Sequence, residues 1–331
     1  LSFPVNFNNI SATGTNNLDK TLNKVTYEPR LFMRYDLTSF WKFSTFAGIT
    51  NSFGSINDVY NGFILLSAKN LSSRNTDIQQ TRSNFVGSRL EYRNPLNNIF
   101  FNVSYNFNDR TNNVTFLNEL DEASQQFIIK GYNLENNSKT NSARTELGKY
   151  FPKFKTNASV GYNYSLNNYQ QLPANSTPTE SSFIDVEGVN QGVSVKFNNN
   201  YFSWLSVDYN ANWSFSKTQS PDDSDFNNQT DLFNHALSAY VYPFKNHTLG
   251  FTWDELHSSN RERTAKNAFF DLSYQYSMSE EKIDLELKVL NITNNNVFEN
   301  VTFNSTFNQT SYTTVNIRPR QVVLTLKFNF K

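Results

Sequence analysis

The sequence predicts an all-β fold, a transmembrane antiparallel β-barrel with about fourteen strands in this chain. Three observations predict it. Apolar and polar residues alternate with period two along most of the length. The segments joining these stretches are by turns short and long. Aromatic residues crowd the ends that meet at the short joints. Period two places alternate side chains on opposite faces of a strand. No apolar run approaches the ~20 residues of a membrane helix, whereas a barrel strand crosses with alternation and low average hydropathy.

Taken in order, SFPVNFN at 2–8 already alternates, and the first strand is expected at Val5–Asn9. Leu31, Met33 and Tyr35 alternate with Arg30, Arg34 and Asp36; Trp41, Phe43, Thr45, Ala47 and Ile49 with Lys42, Ser44 and Gly48. Phe101, Val103, Tyr105 and Phe107 share one face, as do Ala158, Val160, Tyr162 and Tyr164. Leu205, Val207, Tyr209, Ala211 and Trp213 are expected to face lipid, and Ser206, Asp208, Asn210 and Asn212 the lumen. Three further strands follow at Leu249–Trp253, Phe270–Tyr276 and Ile283–Val289, and the last expected strand is Gln321–Lys331.

Short joints fall at Leu37–Ser39, Asn94–Asn98, Phe151–Lys153, Asn198–Asn200, Pro243–Asn246 and Ser279–Lys282. Long ones fall near 54–80, 109–140, 167–187, 217–230, 255–265 and 293–312. Tight periplasmic turns and longer outside loops have this rhythm in outer-membrane barrels. Phe40, Trp41, Tyr150, Phe151, Tyr201, Phe202, Trp204, Tyr240 and Tyr242 cluster at the short joints, as an interfacial aromatic girdle does.

Composition narrows the function classes. The 331 residues hold 29 Lys and Arg against 29 Asp and Glu, with no basic excess of the kind a nucleic-acid binder carries. Cysteine is absent, which removes disulfides, thiolate metal sites and cysteine nucleophiles. Phe, Tyr and Trp make up 16% of the chain, yet mean hydropathy is −0.59. The first residue is Leu1, and the chain is expected to be processed or a piece of a longer one.

The last third carries a specific resemblance. NHTLGFTW at Asn246–Trp253, KIDLELKVLNITN at Lys282–Asn294 and IRPRQVVLTLKFNF at Ile317–Phe330 resemble the end of Bacteroidetes-type TonB-dependent outer-membrane receptors. KYFPKFKTNASVGYNYS at Lys149–Ser165 is similar to an earlier hairpin of the same barrels. The terminal strand resembles the insertion signal of outer-membrane barrels, but ends on Lys331 where that signal ends on an aromatic residue. The resemblance implies the C-terminal part of a 22-stranded barrel, with the plug and early strands lying outside residues 1–331. It implies uptake of a bulky nutrient (a siderophore, an oligosaccharide or peptides) in the outer membrane. It also implies contact with lipid, with a TonB-type energy-transducing complex through the N-terminal part, and with a surface lipoprotein that caps the barrel. A self-contained 14-stranded passive channel, a barrel enzyme and a structural or docking barrel in a surface complex are the competing readings.

Candidate sites are few. Tyr60, Phe63, Phe116 and Phe127 lie in the long outside segments, where they would contact a ligand or a partner. PDDSD offers Asp222, Asp223 and Asp225 as hard oxygen ligands for calcium, against a plain acidic turn; no glycine or closing glutamate completes a calcium loop. No other cofactor is expected, and no catalytic residue. Among His235, His247 and His257, only His257 has acids beside it, Asp254 and Glu255, which read as a solvated loop cluster. Arg89, Glu91 and Arg93 share a face, as do Arg144 and Glu146, and Asp284, Glu286 and Lys288; these mixed charges are expected to line the lumen.

Overall fold

The computed structural model describes all residues except 15–17, 68–69, 122–123, 125, 174–176, 223–226, 279–282, 305–308 and 329–331. The first strands are β1 Val5–Gly14, β2 Leu18–Tyr27, β3 Arg30–Asp36 and β4 Trp41–Phe53. A short helix α1 Ile56–Val59 precedes β5 Ile64–Ser67, β6 Asn70–Ser73, β7 Gln80–Asn94, β8 Ile99–Asn112, β9 Thr115–Asp121 and β10 Gln126–Tyr132. Then come β11 Asn136–Phe151, β12 Thr156–Gln171, β13 Ile184–Asn199, β14 Leu205–Gln219, β15 Asn228–Val241 and β16 His247–Asn260. The chain closes with β17 Thr264–Met278, β18 Ile283–Leu290, β19 Val297–Asn304, β20 Gln309–Asn316 and β21 Gln321–Phe328.

Thirteen strands form one antiparallel sheet in the order β21-β18-β17-β16-β15-β14-β13-β12-β11-β8-β7-β4-β3. Among the described residues, its two end strands are not paired with each other. Val5–Asn9 belongs to β1, which pairs with β2 and not with the final strand.

Register shows what alternation builds. One row of partners runs Tyr35, Phe43, Leu90, Val103, Thr145, Tyr162, Val193, Trp213, Phe233. The next row on the opposite face runs Arg34, Ser44, Arg89, Ser104, Arg144, Asn163, Gly192, Ser214. Directly opposed residues share a face, so one side of the whole sheet is apolar and the other polar. The first row runs on to His257 and Lys266 near the outer tips, and a separate row on the same face runs Val207, Ala239, Phe251, Leu272, Val289 and Val322. Met33, Tyr105, Leu147, Val160, Leu249, Leu272 and Leu324 on this side are exposed. A surface of this breadth is far beyond the patches that water-facing proteins leave bare; hydrocarbon covers it, and the polar side lines the lumen.

The short joints hold as expected where they are described; Ser279–Lys282 lies outside the described residues. The girdle is visible as an exposed chain of rings, Phe154 to Tyr201 at 6.0 Å, Tyr201 to Phe202 at 4.9 Å and Phe202 to Trp204 at 5.3 Å between centroids. Tyr150 and Tyr240 depart from it: their register partners, Asn157 and Gly250, lie on the polar side, and the Tyr240 ring lies against that glycine. The polar side also seats the Phe100 ring over Gly148, in the place a Cβ would take. Only glycine permits that close approach.

Several strands outrun a membrane crossing. β11, β12 and β13 each span 16 residues, more than the 9–11 or so that a tilted crossing uses, so their far ends stand beyond the bilayer. For the same reason 255–265 is no loop: β16 and β17 run through it and leave only a turn at 261–263. The segments 54–80 and 109–140 hold α1 and a four-stranded sheet in the order β5-β6-β10-β9, and 293–312 holds most of the β19–β20 hairpin.

The β1–β2 hairpin joins this outer layer. Ile10, Ala12 and Leu22 pack on Val59, Ile78 and Phe53, and Lys20 Nζ donates to the Thr76 carbonyl at 2.7 Å. The hairpin prolongs the wall past a bend at Glu28–Pro29: Ser2 pairs with Arg30, and Ile49 N donates to the Pro29 carbonyl at 3.0 Å.

Candidate functional site: lumen wall and outer mouth

Tyr60, Phe63, Phe116 and Phe127 all fall in the outer layer, but they do not converge. Phe116 and Phe127 sit on one face of the β9–β10 pair, toward opposite ends, since Phe116 opposes Gly131 and Phe127 opposes Leu120. Tyr60 follows α1 with its ring beside Gly62, and Phe63 is 65% exposed. What holds this layer is Asp58. Its carboxylate accepts from Ser55 N at 2.7 Å and Ser55 Oγ at 3.1 Å, and pairs with the Arg74 guanidinium. Arg74 in turn lies over the Phe116 ring, 4.6 Å from its centroid. The buried Thr76 hydroxyl donates to the Asp58 carbonyl at 2.9 Å. On the other side of β10, Glu119 pairs with Lys130 at 2.5 Å and accepts from Tyr132 Oη at 3.2 Å. The hydrogen bond to Glu119 raises the Lys130 pKa, and burial raises that of Tyr132.

A cavity of about 450 Å³ opens between β2 and the outer ends of β4, β7 and β8. Its walls include Lys24, Tyr27, Asn51, Phe53, Arg82 and Glu135, and none of the four candidate aromatics. These residues come from segments far apart in sequence, each unremarkable alone, so no linear signal marks the cavity.

The charge groups on the polar face form two adjacent rows. Arg34, Arg89 and Arg144 lie in one, and Asp36, Lys42, Glu91 and Glu146 in the next. Arg89 pairs with Glu91 at 2.6 Å. Farther round, Glu286 is held by Lys288 at 3.0 Å and Lys327 at 3.3 Å. Asp208 accepts from Asn198 Nδ2.

The acids near His257 are a wall feature, not a loop cluster. β16 carries Asp254 and Glu255 on opposite faces. Asp254 opposes Ala236 and Phe269 on the polar side. Glu255 stands on the apolar side with His235 at 3.9 Å and Lys266 at 3.1 Å. His235 shares that face with Leu237, as its alternation predicts, and is buried among Tyr209, Phe233 and Trp253. Of the calcium candidates, Asp222 accepts from Asp185 N at 3.2 Å; Asp223 and Asp225 lie outside the described residues. No cluster of metal-binding side chains occurs among the described residues.

No protein-family model and no curated protein matches the chain. Solved structures do. The chain is similar to a doubly substituted ferric enterobactin receptor (PfeA) from Pseudomonas aeruginosa, with TM-score 0.52 and 11% identity over 84% of this chain and 42% of that one. It is similar to the PfeA receptor in complex with BCV-L6, with TM-score 0.53 and 10% identity over the same shares. The likeness to the ferric yersiniabactin uptake receptor of Yersinia pestis is looser, with TM-score 0.46 and 9% identity over 92% of this chain and 50% of that chain. At such identities the likeness is one of fold: a transmembrane antiparallel β-barrel. The chain spans about two-fifths of the length of the first two structures.

Proposed function

We propose that this chain is wall and outer mouth of a non-enzymatic transport barrel in the bacterial outer membrane, of the TonB-dependent receptor type, and that it contributes to uptake of a bulky solute. The observation that carries the reading is the single sheet of thirteen strands, apolar on one side and polar on the other, whose end strands, among the described residues, do not pair with each other. Unpaired strand edges in hydrocarbon cost several kcal/mol per bare polar group, so further strands complete the wall at β3 and β21. The Ser2–Arg30 bridge already lays the chain along the edge of β3. The fold likeness to less than half of a ferric enterobactin receptor supports the same arrangement. The identity of the solute, an energy-transducing partner reached through other parts of the polypeptide, and a capping lipoprotein belong to this proposal too.

The test is purification from native membranes. The reading expects extraction only by detergent, strand-dominated circular dichroism, and a native polypeptide more than twice as long as these 331 residues. A folded 331-residue monomer that conducts ions by itself would replace it with a small passive channel. Release into buffer as a folded monomer would end the barrel reading.

A further inference from the structure

Two stretches near the C-terminal end, LNITNN and RPRQ, meet in space where the β18–β21 ladder stops. Beyond β18 the backbone takes left-handed turns at Asn291, φ 53°, and Asn294, φ 58°, a conformation asparagine tolerates better than most residues. Asn291 N donates to Asp271 Oδ1 at 2.7 Å, and its Nδ2 donates to the carbonyls of Asn295 at 2.6 Å and Arg318 at 3.2 Å. Asn294 Oδ1 accepts from Arg320 N at 2.9 Å, while the Arg320 guanidinium donates twice to the Ile292 carbonyl, through Nε at 3.0 Å and through Nη2. Ile317 N to the Asn296 carbonyl, 2.9 Å, closes the base of the β19–β20 hairpin.

From this clasp the hairpin does not stand away from the barrel. It lies against β15, β16 and β17. Glu299 N donates to Asn267 Oδ1 at 2.9 Å, and Asn267 Nδ2 returns a bond to the Glu299 carbonyl at 2.7 Å. Val301 N donates to Ser258 Oγ at 3.1 Å. By alternation Asn267 shares the polar face with Asp271, and Ser258 with Asp254. Ser258, Ala265, Asn267 and Val301 are all buried beneath the crossing. At the rim, Arg263 pairs with Glu299 at 3.1 Å and lies over the Tyr312 ring, and Tyr312 Oη donates to Glu262 at 2.8 Å.

We propose that the Asn291–Asn294–Arg320 clasp is a rigid elbow that holds β19–β20 as a fixed strap across the lumen side of β15–β17, narrowing the outer mouth. Asn291, Asn294 and Arg320 are positioning residues: they touch no solute and act by aiming the hairpin. The inference rests on the polar face being the lumen.

These 331 residues hold no cysteine, so a pair placed here has no competing thiol within them. In the full-length protein, Ser258→Cys with Val301→Cys is expected to form a disulfide under mild oxidation. Adding Arg320→Ala, or separately Asn294→Ala, should lower the yield about tenfold, since the charge-assisted hydrogen bonds of Arg320 to the Ile292 carbonyl or the bond that Asn294 accepts from Arg320 N are lost. Entry of a water-soluble dye into liposomes holding the protein should rise in Arg320→Ala and fall back once the disulfide is trapped. No disulfide in the parent pair would show that the strap is not there. Equal yield with and without Arg320→Ala would remove the clasp's positioning role. Unchanged dye entry in Arg320→Ala, despite reduced cross-linking, would show that the strap narrows nothing. The disulfide reads local geometry whether or not the barrel transports, so its failure is separable from failure of the functional reading.

Discussion

Leu272→Arg is expected to destabilise the folded barrel by roughly 2–4 kcal/mol, while Thr252→Arg at the same height, on a water-facing wall, changes stability by no more than about 0.5 kcal/mol. Leu272 opposes Phe251 and Val289 on the apolar side, and Thr252 opposes Ser238 and Asp271 on the polar side. Leu272 is six residues from the short-joint end of β17. At about 3.3 Å per residue and a tilt near 40° this lies about 15 Å above that interface, close to the middle of the hydrocarbon. A guanidinium there must desolvate or drag water and headgroups inward. At Thr252 it meets water and the Asp271 carboxylate. Denaturant titrations of both variants in lipid vesicles measure the two costs. Equal costs would mean that the two faces of β16 and β17 see the same solvent.

Asp58→Ala should unfold the outer layer and leave the wall intact. The Asp58 side chain is 6% exposed and satisfies three donors: Ser55 N, Ser55 Oγ and the Arg74 guanidinium. Alanine leaves Arg74, itself only a quarter exposed, over Phe116 without its counter-charge. Removing one partner of a largely buried pair costs about 3–5 kcal/mol, near the whole local stability that a loop layer of this kind commands. Hydrogen exchange should accelerate over 55–76 and 115–132 and stay unchanged in β12–β16. Unchanged exchange in the loop segments would show that Asp58 does not hold them.

The wall was legible because its signal is local. Alternation at Leu205–Trp213 or Ile283–Val289 is fixed by the pleat and needs no knowledge of the neighbouring strand. Short joints and girdle aromatics are equally local, and Tyr150 and Tyr240 were misplaced because an aromatic next to a joint says nothing about which face it takes. Strand length was not legible. A strand that leaves the bilayer keeps its ladder, so Asn- and Ser-rich tips such as 255–260 read as loop. The β19–β20 hairpin was missed for the opposite reason. Val297–Asn304 and Gln309–Asn316 mix Thr, Asn and aromatics on both faces, and only the clasp formed by residues on either side sends them inward. Of the site, the lumen charges followed from parity. The cavity bounded by Lys24, Arg82 and Glu135 did not, because five segments far apart in the sequence build it.

The central claim is that one face of this sheet meets lipid and the other a water-filled lumen. Single cysteines placed in turn from Leu205 to Trp213, in a chain with no others, test it most directly. A fluorophore at each is challenged with nitroxide lipids and with a water-soluble quencher. The account predicts strict alternation: lipid quenching at Leu205, Val207, Tyr209, Ala211 and Trp213, and aqueous quenching at Ser206, Asp208, Asn210 and Asn212. Lipid quenching at Asp208 and Asn210, or no alternation along the strand, would contradict it.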